Sequence, residues 1–122
     1  MPKYVSFFSY TAEAWARMVK HPEDRAEAAR TAIEGAGGRL ESFYWMFGPW
    51  DGFVVYSVPD EMAAASLSAV ASGTGRLFRQ ETFQVLDMDD GRRALERAAA
   101  VARTYRPPGA LTDWREGYDE LG

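Results

Sequence analysis

The sequence predicts an α+β fold in which four strands and two helical segments run in the order βαββαβ, with an extra C-terminal helix and arm. Three observations predict it. Four segments rich in β-branched and aromatic residues, KYVSFFSY, RLESFYWMF, DGFVVYSV and RLFRQETFQVL, read as strands. Clusters of Gly and Pro punctuate the chain between the predicted elements. The first and second strands, and the third and fourth, are joined by Ala-rich stretches with apolar residues at helical spacing.

Lys3 to Tyr10 is the first strand. Thr11 caps the helix after it, Glu13 lies in the first turn, and Trp15, Met18 and Val19 share a face. His21-Pro22 interrupts this helix, because a residue before proline avoids helical backbone. Pro22-Glu23-Asp24 starts a second helix that turns Ala26, Ala29 and Ile33 inward, and Gly35, Gly37 and Gly38 stop it. Arg39 to Phe47 and Asp51 to Val58 are the second and third strands, an antiparallel hairpin closed by Gly48-Pro49-Trp50-Asp51. Pro59-Asp60-Glu61 opens a helix that buries Ala63, Leu67 and Val70 and ends at Gly73-Thr74-Gly75. Arg76 to Leu86 is the fourth strand. This order is that of a ferredoxin-like fold, with the helices on one face of a four-stranded sheet.

Beyond the sheet, Asp89 or Asp90 caps a last helix with Leu95, Ala98, Ala102 and Tyr105 along one stripe. Arg106-Pro107-Pro108-Gly109 breaks it. The end, ALTDWREGYDELG, sets Leu111, Trp114, Tyr118 and Leu121 among acids and reads as a docking arm. The expected organisation is a domain over 1–88, a helix over 89–106 and an arm over 107–122.

Composition narrows the function. A chain of 122 residues fits one domain, and 47% hydrophobic content is that of a folded core. Net charge is −4, and the one basic cluster, around Arg92, Arg93 and Arg97, reads as the wet face of a helix, so no nucleic-acid partner is expected. The absence of Cys excludes disulfides and thiolate chemistry, and a single His excludes a His-cluster metal site within one chain. With no signal peptide or membrane span visible, a cytoplasmic location is expected, with no membrane partner and no cofactor.

The strands also predict a partner. In a sheet covered by helices on one side, the other face should turn polar. Here Leu40, Tyr44 and Met46 alternate with Phe43, Trp45 and Phe47, and Phe53 and Val55 alternate with Val54, Tyr56 and Val58, so both faces are apolar. Two helices cover one face only. A homodimer, sheet against sheet and open to further assembly, covers the other.

Four motifs in order carry a family resemblance. These are the opening Met1-Pro2-Lys3-Tyr4-Val5, Arg25-Ala26-Glu27-Ala28-Ala29-Arg30 with Gly37-Gly38-Arg39-Leu40 after it, the turn Gly48-Pro49-Trp50-Asp51, and Arg79-Gln80-Glu81-Thr82. Through them, over about residues 1 to 88, the chain resembles the GYD-domain proteins, relatives of the dimeric α/β-barrel group. Trp50 stands where the family's signature turn has Tyr. A literal Gly117-Tyr118-Asp119 lies in the tail, apart from these motifs. The resemblance implies a ferredoxin-like dimeric α/β barrel. It implies no single activity, since the structural relatives include cofactor-free monooxygenases, haem-degrading enzymes and isomerases.

The sequence supports three functional readings. In the first, a barrel pocket binds a small flat or apolar molecule against Trp15, Tyr44, Trp45 and Trp50, with Arg79 and Glu81 supplying polarity or simply pairing with each other along the fourth strand. In the second, a cofactor-independent monooxygenase or isomerase uses His21 or Asp51 to take a proton from a phenolic or enolic substrate. The bland counterparts are a loop histidine, and an aspartate that holds turn amides. In the third, the arm docks on a partner.

Overall fold

The structure, a computed structural model, describes residues 1–109. The expected arm residues Leu111, Trp114, Tyr118 and Leu121, and Gly117-Tyr118-Asp119, lie outside the described residues. The elements are β1 (Lys3–Tyr10), α1 (Ala12–Lys20), α2 (Arg25–Gly35), β2 (Arg39–Trp45), β3 (Gly52–Ser57), α3 (Glu61–Gly73), β4 (Leu77–Val85) and α4 (Met88–Ala102). The chain divides into two compact units after Val85.

The first unit is an α+β domain. Its four strands form one antiparallel sheet in the order β2-β3-β1-β4, as the ferredoxin-like pattern requires. β1 is antiparallel to β3 on one edge and to β4 on the other. Tyr4, Ser6 and Phe8 sit opposite Tyr56, Val54 and Gly52 of β3 and opposite Gln84, Thr82 and Gln80 of β4, and this set faces the helices. Val5 and Phe7 sit opposite Val55 and Phe53 and opposite Phe83 and Glu81, and this set makes the far face.

The core lies on the helix side. Tyr4, Ile33, Tyr56, Val58 and Ala64 are buried together, with Ala29, Leu40, Val54 and Leu67 packed against them. Tyr4 stacks on Tyr56 at 6.0 Å between ring centroids. Burial pushes the Tyr4 phenol above its ordinary range, and the nearby Glu61 carboxylate adds to this. Each helix starts at an N-cap whose side chain accepts a backbone amide: Thr11 for α1, Asp24 for α2, Asp60 for α3 and Asp87 for α4. The cap of α4 is thus Asp87, and Asp89 and Asp90 lie in its first turn, where the helix dipole favours acids. α4 carries the ion pairs Arg92–Glu96 and Asp90–Arg93 on its surface. None of its residues is buried, including Leu95 of the expected apolar stripe.

Two bulges correct the expected side-chain pattern. In β2 the register shifts between Leu40 and Ser42: Leu40 pairs with Tyr56, but Ser42 pairs with Val55. The extra residue, Glu41, lets Leu40 and Phe43 face the helices together, so Leu40 does not share a face with Tyr44. In β4 the register shifts opposite Ser9 and Tyr10, which sets Leu77 opposite Tyr10 on the helix side while Arg79 stays on the far face. The strands are also shorter than expected at the hairpin, where Met46, Phe47 and Asp51 belong to the turn. In α1, Ala14 and Met18 are the buried pair and Val19 is exposed.

Glu41 binds the edge of the far face. Its carboxylate accepts from Ser57 Oγ at 3.2 Å and pairs with Lys3 at 3.1 Å and Arg39 at 3.5 Å, linking β1, β2 and β3. Burial alone would raise its pKa, but the bonds from Lys3, Ser57 and Arg39 outweigh that and hold the group below the usual carboxylate range. The folded state therefore favours ionised Glu41. That contribution is fully present above the unfolded-state value and is lost as pH falls through the folded one. The difference in urea midpoint between wild type and Glu41→Gln is expected to be largest at neutral pH and to shrink toward about pH 3. A difference that stays constant with pH would contradict this account.

Gly38 immediately precedes β2, where the chain leaves α2. A Cβ there would lie 2.2 Å from the Ser57 carbonyl oxygen and 2.8 Å from Val58 Cγ1, both in the best-packed part of the domain. Gly38→Ala is expected to cost about 1–3 kcal/mol by forcing backbone apart, read as a lower midpoint in urea unfolding.

Candidate functional site

The hairpin turn sends the side chains of its last two residues, Trp50 and Asp51, to opposite faces of the sheet. The Asp51 amide donates to the Phe8 carbonyl, and the Asp51 carbonyl accepts from the Met46 amide, both at 2.9 Å. These bonds stitch the turn to the end of β1 and to β2. From that position Asp51 Oδ2 accepts from the Tyr10 amide at 2.9 Å and from the Trp15 indole Nε1 at 3.1 Å. The carboxylate thus joins the turn, β1 and α1 in one place.

An aromatic cluster surrounds that junction. Trp15 meets Tyr10 edge-on at 5.2 Å and Trp45 at 5.4 Å. Trp45 Nε1 donates to Tyr10 Oη at 3.4 Å. Tyr10 continues to Phe8 at 5.2 Å, and Phe8 to Phe43 at 5.4 Å. Trp15, Trp45 and Asp51, three of the sequence candidates, therefore come together on the helix side.

Trp50 goes the other way. Its ring lies 6.0 Å from Phe7, and the Arg79 guanidinium sits over it at 4.0 Å from the ring centre. Arg79 Nε also donates to Ser9 Oγ at 3.3 Å. Stacking of this kind contributes about 0.5–1 kcal/mol at an exposed site. Arg79 pairs with Trp50 and Ser9 rather than with Glu81, and Glu81 is exposed with no ion pair among the described residues. Tyr44 packs on Phe53 at 5.5 Å, and Phe7 touches both Phe53 and Phe83. Tyr44, Trp50, Arg79 and Glu81 thus share the far face, where Tyr44 is 60% and Phe83 49% exposed.

His21 joins neither group. It is the exposed C-cap of α1, and its amide donates to the Arg17 carbonyl at 2.9 Å. Asp51 already holds two donors. Each of the two residues expected to take a proton, His21 and Asp51, thus has a structural role of its own.

A cavity of about 240 Å³ lies between the sheet and helices α2 and α3. Phe8, Phe43 and Val54 form its sheet side, and Ala29 and Leu67 its helix side. Its polar lining includes Arg25, Gln80 and the hydroxyls of Ser6, Tyr56 and Ser68, which Thr82 joins in a chain. Ser6 Oγ shares hydrogen bonds with Tyr56 Oη at 3.3 Å and Thr82 Oγ1 at 2.7 Å, and Thr82 shares one with Ser68 Oγ at 3.3 Å. Each of the four hydroxyls carries one proton, so these three bonds leave one O–H for an acceptor.

Comparison with known proteins identifies the family. The GYD-domain model matches residues 4–95. The chain belongs to the GYD-domain family. The match runs past the sheet into α4 and stops before the tail, so the literal Gly117-Tyr118-Asp119 is outside it. Among solved structures, the chain is similar to the one titled "crystal structure of FFRP-DM1", at 11% identity and a TM-score of 0.45, over 70% of this chain and 100% of that one. No curated protein matches. Among the described residues, no helix is long and apolar enough to cross a membrane.

The cavity is lined by residues that sequence reasoning passed over, Ser6, Ser68, Phe8 and Phe43, with Thr82 bonded to both serines. One signal was available. Ser6 interrupts the inward-facing series of a central apolar strand, and a buried serine needs a partner.

Removing the carboxylate in Asp51→Ala leaves the Trp15 indole and the Tyr10 amide without their acceptor. The expected loss is about 2 kcal/mol, with a change in tryptophan emission as Trp15 is released. Asp51→Asn keeps an acceptor oxygen and is expected to lose less. Equal midpoints for wild type and Asp51→Ala in urea unfolding would remove Asp51 from this structural role.

Proposed function

We propose that the protein is a homodimer whose subunits pair their far sheet faces as a dimeric α/β barrel, and that each subunit binds a small flat or apolar molecule beneath α2 and α3. The cavity lined by Phe8, Phe43, Val54, Ala29 and Leu67 carries the reading. Its walls are mostly carbon, and the hydroxyl chain offers one donor, a combination that suits an apolar ligand with a single acceptor. In this reading Trp15 and Trp45 brace the end of the site through Tyr10.

The far face supports the pairing. Phe7, Phe53, Phe83, Tyr44 and Trp50 form a continuous aromatic surface, and surfaces of that kind mark interfaces. Arg79 and Glu81 stand two residues apart on that face. A two-fold axis between copies brings unlike charges of this spacing toward each other and gives Glu81 a counter-ion. The resemblance to dimeric α/β-barrel proteins points the same way.

Native mass spectrometry with a titration of the neutral fluorophore N-phenyl-1-naphthylamine tests both parts. Wild type is expected to run as a dimer and to bind the dye. Phe53→Glu, which places charge in the far face, is expected to run as a monomer. Leu67→Trp, which fills the cavity, is expected to remain dimeric and lose dye binding. A monomeric wild type would overturn the pairing, and undiminished dye binding by a folded Leu67→Trp would overturn the cavity assignment.

A further inference from the structure

A second, larger cleft adjoins the cavity. It has a volume of about 510 Å³ and lies between α1 and the C-terminal end of α3. Tyr10, Arg25, Ala71, Thr74 and Leu77 line both spaces, so the two meet along a common wall. Their characters differ. The walls of the first are mostly apolar apart from Arg25, Gln80 and the hydroxyls, whereas Arg17, Arg25 and Arg76 line the second together with Glu23.

The guanidiniums are only partly neutralised. Arg17 and Arg76 both bind the same oxygen of Glu13, at 3.0 and 3.1 Å. Arg25 has Glu23 at 3.7 Å, which is an ion pair but longer than a hydrogen bond. Three cations thus face two carboxylates, in a chain whose net charge is −4. Arg25 reaches into both spaces and has no hydrogen-bond acceptor of its own among the described residues. Its planar fork matches a carboxylate in geometry as well as charge.

Resting on the cavity reading above, we propose that the ligand is a small organic acid whose apolar body fills the cavity beneath α2 and α3 and whose carboxylate binds in the adjoining cleft at Arg25, with Arg76 and Arg17 supplying further positive charge. The two spaces then form one amphipathic site. The apolar part sets affinity through burial, and the arginines select for the anion.

Isothermal titration calorimetry with 4-phenylbutyrate, 4-phenylbutan-1-ol and 4-phenylbutylamine tests the assignment, because the three share a body and differ in the head. At low ionic strength the acid is expected to bind about tenfold or more tighter than the alcohol, and the amine weakest. The preference is expected to shrink as salt is added. Arg25→Gln is expected to bring the acid to the affinity that the same variant has for the alcohol. Arg76→Gln is expected to move the acid in the same direction by less. Equal binding of acid and alcohol by wild type would overturn the anion site and leave the apolar cavity standing. An acid preference that survives in both folded variants would overturn the placement of the head at these arginines. If neither acid nor alcohol binds while N-phenyl-1-naphthylamine still does, the organic-acid proposal fails alone. If the dye fails as well, the cavity reading fails with it.

Discussion

β1 is paired along both edges, with β3 on one side and β4 on the other, and the rest of the domain is arranged by that constraint. A strand held this way has its backbone donors and acceptors satisfied, so it can lie in the middle of the sheet without polar cost. It cannot hide its side chains, because they alternate strictly between two faces. Tyr4, Ser6, Phe8 and Tyr10 are committed to the helices, and Val5 and Phe7 to the far face. The neighbours follow the same division except at the two bulges, and the sheet becomes a wall between two chemical environments.

That wall explains why the residues with functional character do not converge. Trp15, Trp45 and Asp51 meet on one side, and Tyr44, Trp50, Arg79 and Glu81 on the other. The turn residues Trp50 and Asp51 are adjacent in sequence and part across the sheet. Asp51 is the more constrained of the two, since its backbone is bonded to Phe8 and Met46 and its carboxylate to Tyr10 and Trp15. Trp50 then extends the aromatic far face under the Arg79 guanidinium. The turn serves both the closing of the helix side and the surface of the other.

The space beneath α2 and α3 has a different origin. Ala29, Ala32 and Ala71 bring small side chains to the sheet, and Phe8, Phe43 and Val54 do not fill the volume that remains. Ser6 enters the same layer with a hydroxyl that must be satisfied, and Tyr56, Thr82 and Ser68 complete a chain around it. An apolar cavity with a defined polar strip is therefore a consequence of one serine in a central strand and of small residues in the covering helices. The arginine-lined cleft beside it lies between α1 and the end of α3.

Much of the fold was legible in the sequence because it depends on local chemistry. The order of strands and helices comes from hydrophobic period, from capping residues such as Thr11, Asp24 and Asp60, and from the Gly and Pro stops. Four motifs along the chain sufficed to indicate the GYD family, and the apolar character of both faces was visible in β3 alone. The pairing of side chains across space was not. Leu40 leaves the face of Tyr44 because a bulge adds a residue to one strand relative to its partner, and an extra residue has meaning only once the partner and register exist. The same holds for Trp50 and Asp51, for the union of Arg79 with Trp50 in place of Glu81, and for the meeting of Arg17, Arg25 and Arg76 from three separate segments. The sequence by itself determined which elements form and in what order. Only the tertiary structure decided which side of the sheet each functional group serves, because strand parity is defined by pairing and not by position in the chain.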